Sequence, residues 1–142
     1  MMTLAEFTNL AVGVPFLDRG RTFSGWDCWG LVVFAYQVCF NISLPGFDDI
    51  SAYNSAAAGA FIAAQKKRYL EISPGQERGG DVIVLRHASW PCHTGLIIRP
   101  GLMLHVDEVH GTYVENYRTG ICKNQVISFH RHDQLASDGL TF

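Results

Sequence analysis

The chain has 142 residues, with 13 acidic and 11 basic side chains and a net charge of −2, which suits one domain at ~150 residues per domain. Its mild acidity argues against a general nucleic-acid binder, which carries a basic face and a pI above ~9. Four cysteines at positions 28, 39, 92 and 122 form no CxxC pair, so a disulfide scaffold, a zinc ribbon and a thioredoxin-like motif are set aside and the thiols read as reduced.

In chain order, Met1-Met2-Thr3 lacks the basic start and apolar core of a signal peptide, which predicts synthesis in the cytoplasm without one. No apolar run reaches the ~18–20 residues of a membrane span. Thr3 and Glu6 have capping-box spacing in front of Leu4, Phe7 and Leu10, predicting a short helix that Gly13-Val14-Pro15 stops. Residues 16–26, with Gly20, Ser24 and Gly25, read as an irregular loop. A second helix is predicted from about Cys28 to Phe40, since Leu31, Phe34, Ala35 and Val38 keep helical spacing and Asp27 stands at the N-cap. Asn41 to Asn54, including Asp48-Asp49, reads as a loop. Ser55 to Leu70 reads as an alanine-rich helix whose basic end, Lys66-Lys67-Arg68, is a solvated terminus.

The period then changes. Val82–Leu85, Thr94–Ile98, Leu102–Val106 and Val126–Phe129 are short β-type runs between turn residues, and Tyr113-Val114-Glu115 is a weaker one. Helices first and strands later predict an α+β domain with an antiparallel sheet. The whole chain, 1–142, reads as one domain without repeat or linker.

Cys28 is the most informative position. A thiol in the first turn of a helix faces unpaired backbone N–H groups and the positive end of the dipole, both of which favour thiolate. A reactive thiol and a small buried hydrophobe both fit that local setting; Cys39, Cys92 and Cys122 read as buried hydrophobes. A cysteine nucleophile needs a base, usually histidine, from elsewhere in the fold. His93 and His105 lie on consecutive strand runs separated by Arg99-Pro100-Gly101. A three-residue hairpin loop with Gly101 in the left-handed position would pair Ile98 with Leu102 and Gly95 with His105. The two histidines would then be diagonal neighbours on one face, roughly 7–8 Å apart at the backbone; a two-residue loop would send them to opposite faces. His130 and His132 have the spacing of two strand ligands but lack a third, so no metal is expected. His87 and His110 read as loop residues, and Trp26, Trp29 and Trp90 fit either a cleft or the core.

Gly25-Trp26-Asp27-Cys28-Trp29-Gly30-Leu31-Val32, then Gly80-Asp81-Val82-Ile83, His93-Thr94-Gly95-Leu96-Ile97-Ile98 and His105 together resemble the NlpC/P60 cysteine peptidases. The DCWGL form is most similar to the phage-tail members, and the resemblance runs from residue 10 to 132. It implies a papain-like α+β fold, with the nucleophile helix packed on an antiparallel sheet. It implies Cys28 as nucleophile, His93 as base and His105 as the residue orienting His93, with no cofactor and no metal. The implied substrate is the peptide stem of bacterial peptidoglycan, cut at the γ-D-glutamyl to diaminopimelate bond. The implied setting is a phage or prophage tail acting at the host wall, with other tail proteins as partners and neither nucleic acid nor membrane. Asp27, Trp29 and Phe16 are the implied substrate contacts. Phe16 stands where many members have a tyrosine, and Trp29 where most cell-wall members have serine. The alternatives are an amidase, acyltransferase or toxin using the same site, and a structural tail-assembly protein.

Overall fold

The computed structural model describes residues 1–46, 69–87 and 90–138. Helix α1 spans Leu4–Ala11, and the capping box forms as expected: the Glu6 N–H donates to Thr3 Oγ1 at 3.1 Å and the Thr3 N–H to Glu6 Oε1 at 3.0 Å. Residues 16–26 are more regular than their composition suggests. Within them β1 (Arg21–Thr22) and β2 (Gly25–Trp26) make a two-stranded antiparallel hairpin. Glycine is required there, because Gly25 has φ 154° and a Cβ on Gly20 would collide with the Gly25 carbonyl.

Helix α2 spans Cys28–Phe40, capped by Asp27 and closed by Asn41 at φ 54°. Trp29, Gly30, Leu31, Val32, Ala35, Tyr36 and Cys39 are all buried, as expected of a helix that is apolar nearly all round. It packs against α1, the small hairpin and the middle of the main sheet.

That sheet has six strands: β3 (Tyr69–Ile72), β4 (Val82–His87), β5 (Trp90–Arg99), β6 (Leu102–Asp107), β7 (Gly111–Asn116) and β8 (Val126–His132). Their order is β3-β8-β4-β5-β6-β7, with every neighbouring pair antiparallel. A short helix α3, Asp133–Asp138, follows. All five β-type runs lie in strands, and His87 closes β4 instead of lying in a loop. The helix expected over Ser55–Leu70 falls outside the described residues except for Tyr69 and Leu70, which open edge strand β3; the Asp48-Asp49 and Lys66-Lys67-Arg68 readings also lie outside them.

The sheet buries both faces, which is why β4, β5 and β6 read as continuous apolar runs. Val82, Leu96, Leu104 and Val106 meet Trp26, Leu31, Val32 and Ala35 on the helical side. Ile83, Leu85, Ile97, Met103, Tyr117 and Phe129 form a second cluster. The β5–β6 hairpin reaches the expected register by a different route. Arg99 pairs with Leu102 around a two-residue loop, Pro100-Gly101, with Gly101 at φ 97°. The ladder then shifts at Ile98, so Ile97 faces Met103 and Leu96 faces Leu104. One extra residue in the bulge restores the facing of every side chain that the shorter loop would have reversed.

Candidate active site

Cys28 is the first residue of α2 and is half-buried. Asp27, 3 % exposed, organises the segment in front of it. Its Oδ1 accepts the Gly30 N–H at 2.8 Å and Arg21 Nη1 at 2.9 Å, and its Oδ2 accepts the Arg19 N–H at 2.9 Å. Arg21 reaches on to the carbonyls of Gly20 and Gly46. A Cβ on Gly30 would overlap the Gly20 carbonyl, so the first turn of α2 rests directly on backbone. Both Asp27 oxygens are therefore committed to holding the segment in front of Cys28, a structural duty beside any contact with substrate.

Trp29 is buried on the helical side of the core and donates its indole N–H to the Pro45 carbonyl at 2.9 Å. That donor is spent inside the protein. Phe16 is half-buried against the same core and makes a parallel bridge with Trp26. Trp26 itself is fully buried and donates to Thr112 Oγ1 at 2.8 Å.

The sheet brings the two histidines together. His93 lies opposite Leu85 on β4, and His105 opposite Tyr113 on β7. Across β5 and β6 they stand in the expected diagonal relation, with His93 Nε2 3.0 Å from His105 Nδ1. His105 is 6 % exposed, and the Tyr113 ring covers it at a centroid distance of 4.4 Å. Burial holds its pKa below the ordinary imidazole value, although Glu115 and Asp107 pull the other way. Its other nitrogen, Nε2, lies 2.8 Å from Glu115 Oε1, off the line of a well-directed hydrogen bond but within ion-pair distance. His93, His105 and Glu115 thus form one diagonal row over three strands.

Glu115 is the residue that sequence reasoning missed. The signal was present in the alternation of Tyr113-Val114-Glu115, but only the β6–β7 register, His105 against Tyr113, shows which histidine the glutamate meets. Asp107 closes the turn into β7. Burial works to raise its pKa, and bonds from His110 and Tyr113 outweigh this and hold it at about 2.

The other candidates are spent on packing. Burial pushes the thiols of Cys39 and Cys122 up to about 11. His130 Nε2 lies 2.7 Å from Ser128 Oγ, and His132 stands edge-on to Tyr36 and Tyr69. Among the described residues no three His, Cys, Asp or Glu side chains are grouped to hold a metal ion.

The sequence profile of the NlpC/P60 family matches residues 13–131. This chain belongs to the NlpC/P60 family. Its fold is shared with an NLP/P60-family protein similar to lipoprotein from Staphylococcus aureus, at 18% identity and TM-score 0.67 over 92% of this chain. It covers only 40% of that S. aureus chain. The NlpC/p60 domain of the peptidoglycan hydrolase SagA matches with TM-score 0.67 and 16% identity, over 90% of this chain and 95% of that one. RipD from Mycobacterium tuberculosis, described as non-catalytic and adapted to peptidoglycan binding, matches with TM-score 0.64 and 22% identity, over 92% and 95%. No curated protein matches the chain. The NlpC/P60 fold therefore serves both hydrolysis and binding among these neighbours, and the side chains must decide between them.

In this NlpC/P60 domain, α2 lies across β5 and β6, the strands that carry His93 and His105. A thiol at a helix start and a histidine held by a third group are parts that acyl transfer by cysteine uses.

Proposed function

We propose that this NlpC/P60 domain is a cysteine peptidase of bacterial peptidoglycan stem peptides, cutting the γ-D-glutamyl to diaminopimelate bond. The observation that carries the reading is the 3.0 Å contact between His93 Nε2 and His105 Nδ1, on strands packed against the helix that Cys28 opens. A thiol nucleophile needs a base and a group that orients it, and this pair supplies both.

In the proposed reaction His93 takes the Cys28 proton, and the thiolate adds to the carbonyl carbon. Backbone N–H groups at the helix start stabilise the oxyanion. The His93 imidazolium then protonates the leaving amine as the C–N bond breaks, leaving a thioester. Water attacks that thioester, giving its proton to His93 and releasing the thiolate. His105 holds the His93 ring throughout. The DCWGL form supports a phage or prophage tail component that opens the host wall, with other tail proteins as its carriers.

The test is incubation of the purified protein and Cys28→Ala with defined stem peptides and with intact sacculi, reading products by mass spectrometry. A new amine terminus on diaminopimelate, absent with Cys28→Ala, supports the reading. Retention on sacculi without cleavage moves the protein to a binding role, and cleavage at another amide moves it to the amidase class.

A further inference from the structure

The contact between two histidines leaves open which nitrogen holds the proton, and that choice decides whether His93 can act as a base. One member of an N···N pair must donate and the other accept. If His105 Nδ1 carried the hydrogen, His93 Nε2 would accept it. The proton of neutral His93 would then sit on Nδ1, the nitrogen turned away from His105. If His105 carried its hydrogen on Nε2, Nδ1 would accept from His93 Nε2–H, and the lone pair of His93 would be on Nδ1.

Glu115 breaks this tie. Its Oε1 lies 2.8 Å from His105 Nε2, and a neutral imidazole with its lone pair there would face a carboxylate lone pair at that distance. An N–H at Nε2 puts the positive edge of the ring against that oxygen, an electrostatic attraction even off the hydrogen-bond line. The neighbouring groups do not compete for the position. Asp107 is taken by the backbone N–H groups of Val109 and His110, by the His110 ring and by the Tyr113 hydroxyl. The Tyr113 hydroxyl donates to Asp107 Oδ2 at 3.0 Å and lies 3.4 Å from Glu115 Oε1. His105 is buried with its pKa lowered, so the neutral ring is the form whose tautomer matters.

We propose that Glu115 is a positioning residue that fixes His105 as the Nε2–H tautomer, so that His105 Nδ1 accepts from His93 Nε2–H and the His93 lone pair is kept on Nδ1 for the Cys28 thiol. The row Glu115–His105–His93 then passes orientation across three strands. When His93 gains the thiol proton, its Nε2–H still has an acceptor, and the negative charge of Glu115 lies behind the new imidazolium. The proposal rests on the peptidase reading for its catalytic meaning, but the proton positions stand or fall without it.

The experiment is two-bond nitrogen–proton correlation NMR on protein labelled with nitrogen-15, at a pH above the ordinary imidazole range. His93→Asn and His105→Asn assign the two rings. Wild type should show both rings as Nε2–H tautomers, and so should Glu115→Gln, whose amide oxygen also accepts an N–H. Glu115→Leu should lose the pure Nε2–H pattern at His105 and, with it, at His93. In hydrolysis Glu115→Leu should lose about tenfold or more in kcat with little change in KM, since a misplaced proton disables a base worth ~10²–10⁴, and Glu115→Gln should recover most of that. Unchanged tautomers in Glu115→Leu, or an Nδ1–H tautomer at His105 in wild type, would overturn the proposal. Correct tautomers in a wild-type protein that cleaves nothing would leave the positioning role intact and refute the peptidase reading instead.

Discussion

His93 is read as the base and His105 as its partner 3.0 Å away, so replacing one is not equivalent to replacing the other. His93→Ala removes the group that takes the thiol proton, and turnover should fall by ~10²–10⁴, the usual worth of a general base. His105→Asn keeps an amide oxygen able to accept from His93 Nε2–H and should retain part of the activity, with about tenfold loss. Equal inactivity of the two variants in the same stem-peptide assay would remove the orienting role. Trp29 gives a second residue-level contrast. From sequence Trp29 departs from the commoner family pattern and fits either a wall at one end of the cleft or the core; the ring is 8 % exposed with its N–H on the Pro45 carbonyl. Trp29→Ser should therefore cost about 3–5 kcal/mol, as truncating a buried aromatic does. Thermal unfolding would read that loss, while the kcat/KM ratio between free and glycan-linked stems should not move. A changed ratio with little loss of stability would return Trp29 to the cleft.

Among the elements, the connection from β3 to β4 is tied to the sheet through two buried acids. Asp81 holds Arg131 of β8 at 2.8 Å. Glu77, its side chain almost wholly buried, accepts from the Tyr117 hydroxyl at 2.6 Å and from Arg118 at 2.9 Å, just beyond β7. Burial pushes the Glu77 pKa up, but bonds from Tyr117, Arg118 and backbone N–H groups prevail and hold it at about 2. In the unfolded chain a glutamate titrates near ~4.3. The folded state therefore keeps the charge to lower pH, and the stabilisation is complete above ~4.3 and lost as pH falls through about 2. Glu77→Gln should be less stable than wild type by about 1.5–3 kcal/mol at neutral pH, the worth of hydrogen bonds to a charged group. The gap in Tm should shrink as pH is lowered across that window. A gap that stays constant to the acid end would show that the charge is not the tie. Sequence shows Asp81 only as part of the Gly80-Asp81-Val82-Ile83 motif and gives no sign of Glu77, whose partners lie about forty residues along the chain and come near only in the closed sheet.

Over the whole molecule, what was legible followed local patterns. The capping box, the Asp27 cap and the change from helical to strand periodicity at residue 82 each rest on a few neighbouring residues, and each appears in the fold. The spacing also predicts the facing of His93 and His105, but through a three-residue loop where the chain uses two residues and a bulge at Ile98. A bulge and a longer loop insert the same extra residue, so side-chain facing is the same and only the backbone distinguishes them. Edge strand β3 begins where the alanine-rich stretch ends and carries no strand signal of its own, since a strand that gains its hydrogen bonds only from β8 needs little pattern. Glu115 depended on a strand register that no local signal sets. Whether Cys28 is the nucleophile is read by a limiting dose of iodoacetamide near neutral pH, with peptide mapping and residual stem-peptide hydrolysis followed on the same samples. Thiolate fraction and access set the rate of alkylation, and Cys39 and Cys122 are held as thiols with pKa pushed up to about 11. Cys28 should be labelled ahead of Cys39, Cys92 and Cys122, and activity should fall in proportion to its labelled fraction. Preferential labelling of another cysteine, or full activity in protein fully alkylated at Cys28, would contradict it.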